Sequence, residues 1–401
     1  VYTHLLMSLT PDSKASPAAI DTIVTLLAGD SPDYLQQFTD SDWENLVVVS
    51  IALGMAPLLH QKIEDLNLVI PPLSLAKLSV TRQAHDKRNK AIAAQLAEIL
   101  AVCHQQGIPV LVLKGAMLAP LAYPDPSLRP MNDIDLLFKP EHLHQVATIL
   151  AGLGYVGKHK APDQGPGITK HLSTYRRAGG EGATPNPYLS AGGDRTVEPH
   201  SSLEESWFGL KLDTTPGVWD RAVEVQLAGQ PAYRLATVDL LMHLAVHAVF
   251  HVIMGSAVFV QLYDIGQVMA RWPDELHWNR LVELTGQAQA QPFVYAGLVW
   301  ARSLYSSPVP NVALGELRQG VSPNLVSYIH QLSAAKLFTR TQQPPLTTLA
   351  QRLRRGLTDR SEAARWASSF SEKWRIWYTA LAFHKTDTAS LLVGKHLKVN
   401  V

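Results

Sequence analysis

The sequence has 401 residues, of which 46 % are hydrophobic and 17 % charged, a composition typical of a globular protein and not of a disordered one. Its 35 Lys and Arg residues nearly balance 34 acids, so it lacks the clustered basic charge on which bulk nucleic-acid binding depends, and nucleic acid is not an expected partner. The single cysteine, Cys103, excludes an intramolecular disulfide and a cysteine-rich zinc module, and it suits a reducing compartment.

The first region, residues 1–105, is predicted to be helical. It begins Val-Tyr-Thr-His, without the basic and apolar segments of a signal peptide, and we therefore expect a cytoplasmic protein. The clearest helix is 79–106, where Ala, Leu, Ile, Gln and Lys recur at helical spacing. The triplet Ile70-Pro71-Pro72 breaks the pattern and is predicted to connect two helices.

A second region, residues 106–210, is predicted to be an α/β core. The apolar run 108–113 is typical of a strand buried on both faces, and 116–123 is predicted to be helical. A second strand is predicted at 133–138 and a helix at 140–153. This alternation of strand and helix indicates a small mixed sheet.

The core is predicted to end with a long hairpin. Residues 172–175 and 195–198 are its two expected strands, and the Gly- and Pro-rich segment 179–193 is its expected tip. Beyond Trp207 we expect helices only. The predicted fold class is therefore α+β, with a small mixed β-sheet core between N-terminal and C-terminal helical regions.

The third region, residues 211–401, is predicted to be a helical domain, with its clearest helices at 238–259, 261–271 and 278–290. Its stretch 240–260 has no formally charged residue and is long enough to span a bilayer. However, histidines recur there every four residues and would form a polar stripe on one helix face. We therefore expect a buried helix and no membrane partner.

The clearest chemistry in the sequence lies at Asp133 and Asp135. Side chains alternate along a strand, so these two carboxylates are expected to point to the same face. Neighbouring carboxylates repel and need a cation, and Mg²⁺ (or Mn²⁺) is commonly held by one or two carboxylates together with substrate phosphates. A third carboxylate on an adjacent strand would complete a two-metal site. A lone Asp-x-Asp pair also occurs in turns and helix caps, but its place at the start of an apolar strand favours the metal site.

The sequence resembles the uncharacterised nucleotidyltransferase family of bacterial proteins, a branch of the polymerase-β-like superfamily. The resemblance is carried by Leu113-Lys114-Gly115-Ala116 and by Arg129-Pro130-Met131-Asn132-Asp133-Ile134-Asp135-Leu136-Leu137. Residues 197–200 resemble the later acid-x-His strand of the family, and 240–247 with Asp264-Ile265 resemble its helical region. The resemblance extends over residues 90–305 and implies a nucleotidyltransferase core.

The resemblance implies that Asp133 and Asp135 bind metal ions and the triphosphate of an NTP. It implies that Glu198 is the third carboxylate, which binds one metal and is a candidate base for the nucleophile. His200 lies two residues on and is expected on the same face. Pro199 departs from the pattern, because proline belongs on an edge strand or at a bulge.

The resemblance also places Gly115 in the phosphate-binding turn, where a glycine lets backbone N–H groups approach phosphate. The serine of the superfamily is absent and Ala116 stands near its place, which leaves backbone amides and Lys114 to hold the phosphates. Lys114 is equally interpretable as a solvated residue at a strand end. Arg129 either reaches a phosphate oxygen or pairs with Asp125 or with the carboxylate cluster.

Three interpretations of His243, His247 and His251 remain open. The favoured one is a polar seam against the catalytic unit, with Asp264 bonding one imidazole. The second is a zinc site formed with Asp264, because histidines four residues apart on a helix can bind zinc. The third is a contribution of His247 to the nucleotide pocket.

Together these residues predict a metal-dependent nucleotidyltransferase. It would move an NMP group from an NTP such as ATP to a small-molecule or protein acceptor and release pyrophosphate. One alternative is a nucleotide- or partner-binding module without turnover, which the absent serine and Pro199 favour. The other is a kinase or phosphohydrolase that uses the same carboxylates. The intact aspartate pair favours an enzyme, because paired buried acids are costly without a cation.

Overall fold

The computed structural model of the protein describes residues 17–158, 174–177, 195–342 and 348–382. The helices are α1 Pro17–Ala28, α2 Asp40–Ala52, α3 Ala56–Asp65, α4 Pro72–Gln105, α5 Lys114–Ala122, α6 Leu143–Gly152, α7 Val218–Arg221, α8 Thr237–Met254, α9 Phe259–Arg271, α10 Trp278–Gln287, α11 Gln291–Tyr305, α12 Asn311–Arg318, α13 Pro323–Gln331, α14 Ala334–Thr341, α15 Leu349–Trp366 and α16 Phe370–Ala382. The strands are β1 Leu111–Val112, β2 Asp133–Leu137, β3 Tyr155–Lys158, β4 Thr174–Arg177, β5 Thr196–His200, β6 Glu205–Trp207, β7 Leu210–Leu212, β8 Val223–Leu227 and β9 Gln230–Arg234.

The described part of the N-terminal region is helical, as predicted. Helix α4 is 34 residues long, and Pro72 lies in its first turn, where a missing backbone N–H costs no hydrogen bond. The predicted break at 70–72 therefore separates α3 from α4. The helix ends just before Gly107, whose φ of 68° is in the left-handed region that commonly closes a helix.

Seven strands form one mixed sheet in the order β3-β4-β5-β2-β1-β9-β8. The β2–β5 and β1–β9 pairs are parallel, and the other neighbours are antiparallel. Strands β6 and β7 form a separate two-stranded sheet. Helices lie on both sides of this core in the sequence, and the predicted α+β class is confirmed.

The predicted hairpin is present in part. Strand β4, described as Thr174–Arg177, pairs antiparallel with β5, with Tyr175 opposite Val197. The predicted tip at 179–193 and residues 172–173 lie outside the described residues. Strand β3 was not predicted; it pairs with β4 and forms one edge of the sheet.

The expectation that only helices follow Trp207 was wrong, because β8 and β9 form a hairpin that extends the core sheet. Their two-residue turn, Ala228-Gly229, has φ values of 48° and 75°. Two positive φ values are the mark of a type I′ hairpin turn, and Gly229 supplies one of them without strain. The division of the chain into three regions remains a prediction.

Helix α8 is the buried helix of the C-terminal region and ends at Met254, because Gly255 takes a left-handed φ of 72°. A Cβ atom added to Gly297 of α11 would lie 2.7 Å from the Cβ of Ala245, so these two helices pack very closely there. Among the described residues, α8 is the one helix whose length and composition suit a membrane span, but 83 % of it is buried within the protein. Core helices of globular proteins share these properties.

Candidate active site

The site begins with two carboxylates from neighbouring parallel strands. Asp135 of β2 lies opposite Glu198 of β5, and Asp133 lies opposite Thr196. Ligand atoms of Asp135, Glu198 and His200 lie within 4.8 Å of one another, so this group could hold a metal ion. Pro199, which separates Glu198 from His200 in β5, lies opposite Leu136 of β2. Glu198, which the family resemblance implies is the third carboxylate, therefore lies on the strand next to Asp135, and its role as a metal ligand stays a prediction.

Asp135 is 2 % exposed, and each of its oxygens meets a nitrogen. The Nε2 atom of His200 lies 2.7 Å from Oδ1, and the Nζ atom of Lys114 lies 3.1 Å from Oδ2. Burial alone would raise the pKa of Asp135, but Lys114 and His200 outweigh it and hold the pKa well below its usual range. Asp135 is thus ionised and held in place on both sides.

Asp133 behaves in the opposite way. Burial, followed by the neighbouring Asp135 carboxylate, raises the pKa of Asp133 to about 7, with a smaller contribution from Glu198. Lys114 opposes this rise without cancelling it. Asp133 and Asp135 therefore repel each other more strongly than the nearby cations offset, and a further cation would stabilise ionised Asp133.

Lys114 is only 18 % exposed, so its interpretation as a solvated residue at a strand end was wrong. It is the first residue of α5 and has a φ of 46°, which is uncommon outside glycine and costs on the order of 1–3 kcal/mol. Burial lowers the pKa of Lys114, but Asp135 and Asp133 outweigh it and raise that pKa. The backbone conformation and the ion pair together direct a permanent positive charge at Asp135.

Gly115 follows in the first turn of α5 and is part of the cavity wall. A Cβ atom there would lie 3.0 Å from Cγ of Met131 and 3.4 Å from Nη1 of Arg129. The contact of α5 with the segment before β2 is thus tight, and a larger residue at position 115 would displace the Met131 side chain by a few tenths of an ångström. Ala116 is 4 % exposed and packs in the hydrophobic core, so contact between its side chain and a phosphate is not favoured.

Arg129 lines the same cavity, but its guanidinium group bonds mainly to Asp264. Nε lies 2.8 Å from Oδ1 and Nη2 lies 2.8 Å from Oδ2, and Asp264 is fully buried. The hydroxyl of Tyr123 donates to Oδ1 at 2.7 Å. Arg129 therefore bonds to Asp264 and not to Asp125, while its charge lowers the pKa of Asp133 in the carboxylate cluster; its contact with phosphate stays a prediction.

Glu205 and His247 form a pair that the sequence did not predict. Oε1 of Glu205 lies 2.9 Å from Nδ1 of His247, and both residues line the cavity. The favoured interpretation of the histidine stripe named Asp264 as the imidazole partner, and that was wrong, since the acid is Glu205 at the start of β6. Glu205 begins β6, and neither β6 nor β7 was predicted from the sequence.

The histidines do not form a metal site within the described part of the chain. The one group of three potential ligands found there is Asp135, Glu198 and His200, and it includes no residue of the stripe. The rings of His247 and His251 are in edge contact, with centroids 4.4 Å apart. Burial, with Lys114 and His251 adding, lowers the pKa of His247 well below its usual range, while Glu205 opposes the shift. A neutral imidazole therefore faces the cavity.

These residues surround one cavity of about 430 Å³, within the range of roughly 300–1,000 Å³ found for small-ligand sites. Its sheet side carries Asp133, Asp135 and Glu198, and its helix side carries His247 and His251. The cavity thus combines a group of side chains that could hold a metal ion, a buried ammonium and a buried imidazole.

A family model described as "uncharacterised nucleotidyltransferase" matches residues 39–306, which is well over half of the chain. This match begins about fifty residues before the resemblance seen in the sequence and ends at nearly the same place. No curated protein and no solved structure matches the chain.

Proposed function

This chain belongs to the uncharacterised nucleotidyltransferase family, and we propose that it transfers an NMP group from an NTP to an acceptor and releases pyrophosphate. The observation that carries the proposal is the position of Asp135 opposite Glu198 on neighbouring parallel strands, with Asp133 on the same face as Asp135. Phosphoryl chemistry asks a protein mainly for alignment and for positive charge near the phosphates. The repulsion between Asp133 and Asp135 is what a divalent metal would offset.

The donor set fits Mg²⁺ or Mn²⁺, which prefer carboxylate oxygens. Asp135 and Glu198 would hold the ion, with Asp133 as the further carboxylate. His200, bonded to Oδ1 of Asp135, would fix the orientation of that ligand, as outer partners do in many metal sites. When bound, such an ion supplies charge stabilisation for the phosphates and for the leaving pyrophosphate.

The remaining residues would bind the nucleotide. Lys114 brings a buried ammonium to the cavity, where it can offset charge on the triphosphate. Gly115 lies in the first turn of α5, where backbone N–H groups have no partner within the helix and favour anions. This arrangement replaces the absent serine of the superfamily with a lysine and main-chain donors.

We propose a small molecule or a protein side chain as the acceptor, and a cytoplasmic location. The formal charge of +1 supports a small or proteinaceous acceptor over a nucleic acid, because nucleic-acid substrates are usually held by clustered basic residues. A kinase would give NDP and a phosphorylated product, and a non-catalytic module would give no product, so product analysis distinguishes these alternatives.

The first test is calorimetric binding of ATP, CTP, GTP and UTP with Mg²⁺ to the parent and to the double variant Asp133→Asn/Glu198→Gln. Asp135 is kept in this variant so that Lys114 retains its partner. We expect the double variant to bind roughly tenfold or more weakly, which corresponds to about 1.4 kcal/mol. Glu204→Gln is the matched control, because Glu204 pairs with Lys211 outside the cavity.

Products from the parent with α-labelled NTP complete the test. Pyrophosphate and a labelled acceptor or NMP support nucleotidyl transfer, whereas NDP with a phosphorylated product supports a kinase. A folded parent that binds none of the four nucleotides would overturn the proposed function.

A further inference from the structure

The cavity contains a pair of side chains that metal and phosphate binding do not use. His247 is on α8 and Glu205 begins β6, so the pair faces the carboxylate group from the helix side of the cavity. Nδ1 of His247 lies 2.9 Å from Oε1 of Glu205. An ionised carboxylate can only accept a hydrogen bond, so Nδ1 must carry the proton in a neutral ring.

This bond determines the state of the other ring nitrogen. With the proton on Nδ1, the Nε2 atom of neutral His247 has a free lone pair. The side chain is 12 % exposed and lines the cavity, so a small molecule there can reach the ring. Lys114 interacts electrostatically with Glu205, which contributes to the raised pKa of Lys114, so a positive charge lies near this carboxylate.

The other candidate base is already engaged. Glu198 accepts a hydrogen bond of 3.2 Å from Oγ1 of Thr174 and belongs to the metal-binding group. A carboxylate that holds a cation is a weaker proton acceptor, because the cation favours its ionised form. His247 is not a member of that group, and its burial keeps the ring neutral.

We propose that His247 is the general base that removes the proton from the acceptor, and that Glu205 is its positioning residue. This inference rests on the proposed function. The acceptor oxygen forms a bond to the α-phosphorus as its proton passes to Nε2 of His247. The bond from that phosphorus to the bridging oxygen breaks, and pyrophosphate leaves with the electron pair. His247 then returns the proton to solvent.

Glu205 has a defined part in this step. Its carboxylate fixes the ring orientation and stabilises the imidazolium that forms when Nε2 is protonated, as the acid of a catalytic triad does. A general base at His247 favours acceptors with an O–H group whose proton must be removed for the reaction. It disfavours acceptors that are already anionic, such as phosphate groups.

The experiment uses water as the acceptor, so that no identified substrate is needed. Pyrophosphate release from the best-bound NTP with Mg²⁺ is measured for the parent, His247→Gln, His247→Ala and Glu205→Gln. General-base catalysis is typically worth about 10²–10⁴ in rate, so we expect kcat to fall at least about 100-fold in both His247 variants. Glu205→Gln should fall by roughly tenfold or more.

Two controls separate catalysis from structure. His330→Gln changes an exposed histidine on α13 that bonds the hydroxyl of Tyr295 and does not line the cavity. It should retain most of the activity. Added imidazole should restore pyrophosphate release to His247→Ala in proportion to its neutral form, and it should do nothing for Asp133→Asn. A residue with a purely structural role would give no such rescue.

Calorimetry with a non-hydrolysable NTP analogue and Mg²⁺ distinguishes failure of this inference from failure of the proposed function. Loss of turnover with unchanged analogue binding and imidazole rescue supports the base. Undiminished turnover in His247→Gln overturns the inference and leaves the proposed function intact. A parent that binds nucleotide but releases no more pyrophosphate than Asp133→Asn also overturns the inference and leaves the proposed function intact. A parent that binds no nucleotide overturns the proposed function as well.

Discussion

The ammonium of Lys114 lies 3.1 Å from Oδ2 of Asp135, and the two side chains are 18 % and 2 % exposed. Lys114 therefore takes the place beside Asp135 that a metal ion would also favour. Under the proposed function Asp135 is a metal ligand, so Lys114 stabilises the metal-free protein but also competes with the metal. The same lysine can offset phosphate charge once a nucleotide is present, so its effects on metal and on nucleotide should have opposite signs.

Replacement of Lys114 by methionine should separate these effects. Removal of a competing charge at Asp135 should tighten binding of Mn²⁺ alone by roughly tenfold or more, because like charges a few ångströms apart repel strongly at low dielectric. Lys114→Met should bind the Mg²⁺–NTP complex more weakly than the parent does. Calorimetry of both ligands tests this, with Lys90→Met as control, since Lys90 forms an exposed pair with Asp86. A loss of affinity for both ligands would contradict the competition.

Asp135 and Asp133 should differ in their effect on folding. Asp135→Ala leaves Lys114 and His200 buried without their carboxylate, which typically costs about 3–5 kcal/mol. Asp133→Asn removes a repelled charge and should leave the metal-free protein as stable as the parent, or more stable. Urea unfolding in the presence of a chelator measures both. Equal destabilisation by the two substitutions would show that the acids are not in opposite electrostatic states.

The raised pKa of Asp133 predicts a pH dependence. Its pKa is about 7 in the folded chain and about 3.9 when unfolded, so the native state holds the extra proton between these values. Stability should therefore fall as pH rises from about 4 to about 7, by an amount on the order of 2–4 kcal/mol. The measurement is the difference in unfolding free energy between the parent and Asp133→Asn across that range, without metal, since other titrating groups then cancel. A difference that is flat with pH would refute the shift, and saturating Mn²⁺ should remove the slope.

Two glycines on helices should respond oppositely to alanine. At Gly297 the new Cβ would lie 2.7 Å from Cβ and 2.9 Å from Cα of Ala245, so α8 and α11 must move apart. Overpacking of this kind costs typically about 1–3 kcal/mol. Gly315 lies in the exposed part of α12 with no atom within 4 Å, and alanine there should stabilise by about 0.5–1 kcal/mol. Thermal unfolding of both variants is the test. Because α8 carries His247, pyrophosphate release by Gly297→Ala should also fall.

The sequence predicted the features that local pattern determines. Asp133 and Asp135 share a face because side chains alternate along any strand, and the break at Pro71-Pro72 follows from the chemistry of proline. Glu198 beside Asp135 is a longer-range relationship, and it came from the family resemblance and not from spacing. The β8–β9 hairpin is predictable in principle, because Gly229 follows an alternating segment. The region was instead predicted to be helical.

The remaining site residues were not predictable from local pattern. Glu205 pairs with His247 only because β6 brings it beneath α8, and neither residue's neighbours in sequence indicate that contact. Arg129 pairs with Asp264 of α9, although Asp125 lies much closer along the chain, and Asp125 bonds Arg82 instead. Partner choice among buried charges depends on the packing of distant elements, which a single sequence does not specify.

The short connection between β9 and α8 affects how a nucleotide can enter the cavity. Strand β9 ends at Arg234 and α8 begins at Thr237, and the guanidinium of Arg234 bonds Oγ1 of Thr237 at 3.2 Å and Glu275 at 2.7 Å. These bonds span a connection of only two residues and therefore restrict hinge motion at this point. The end of β9 is thus held to the start of α8, the helix that carries His247, and we expect nucleotide capture to need no closing motion at this connection. In stopped-flow mixing, the observed rate should rise linearly with nucleotide concentration, without the plateau that a slow closing step would impose.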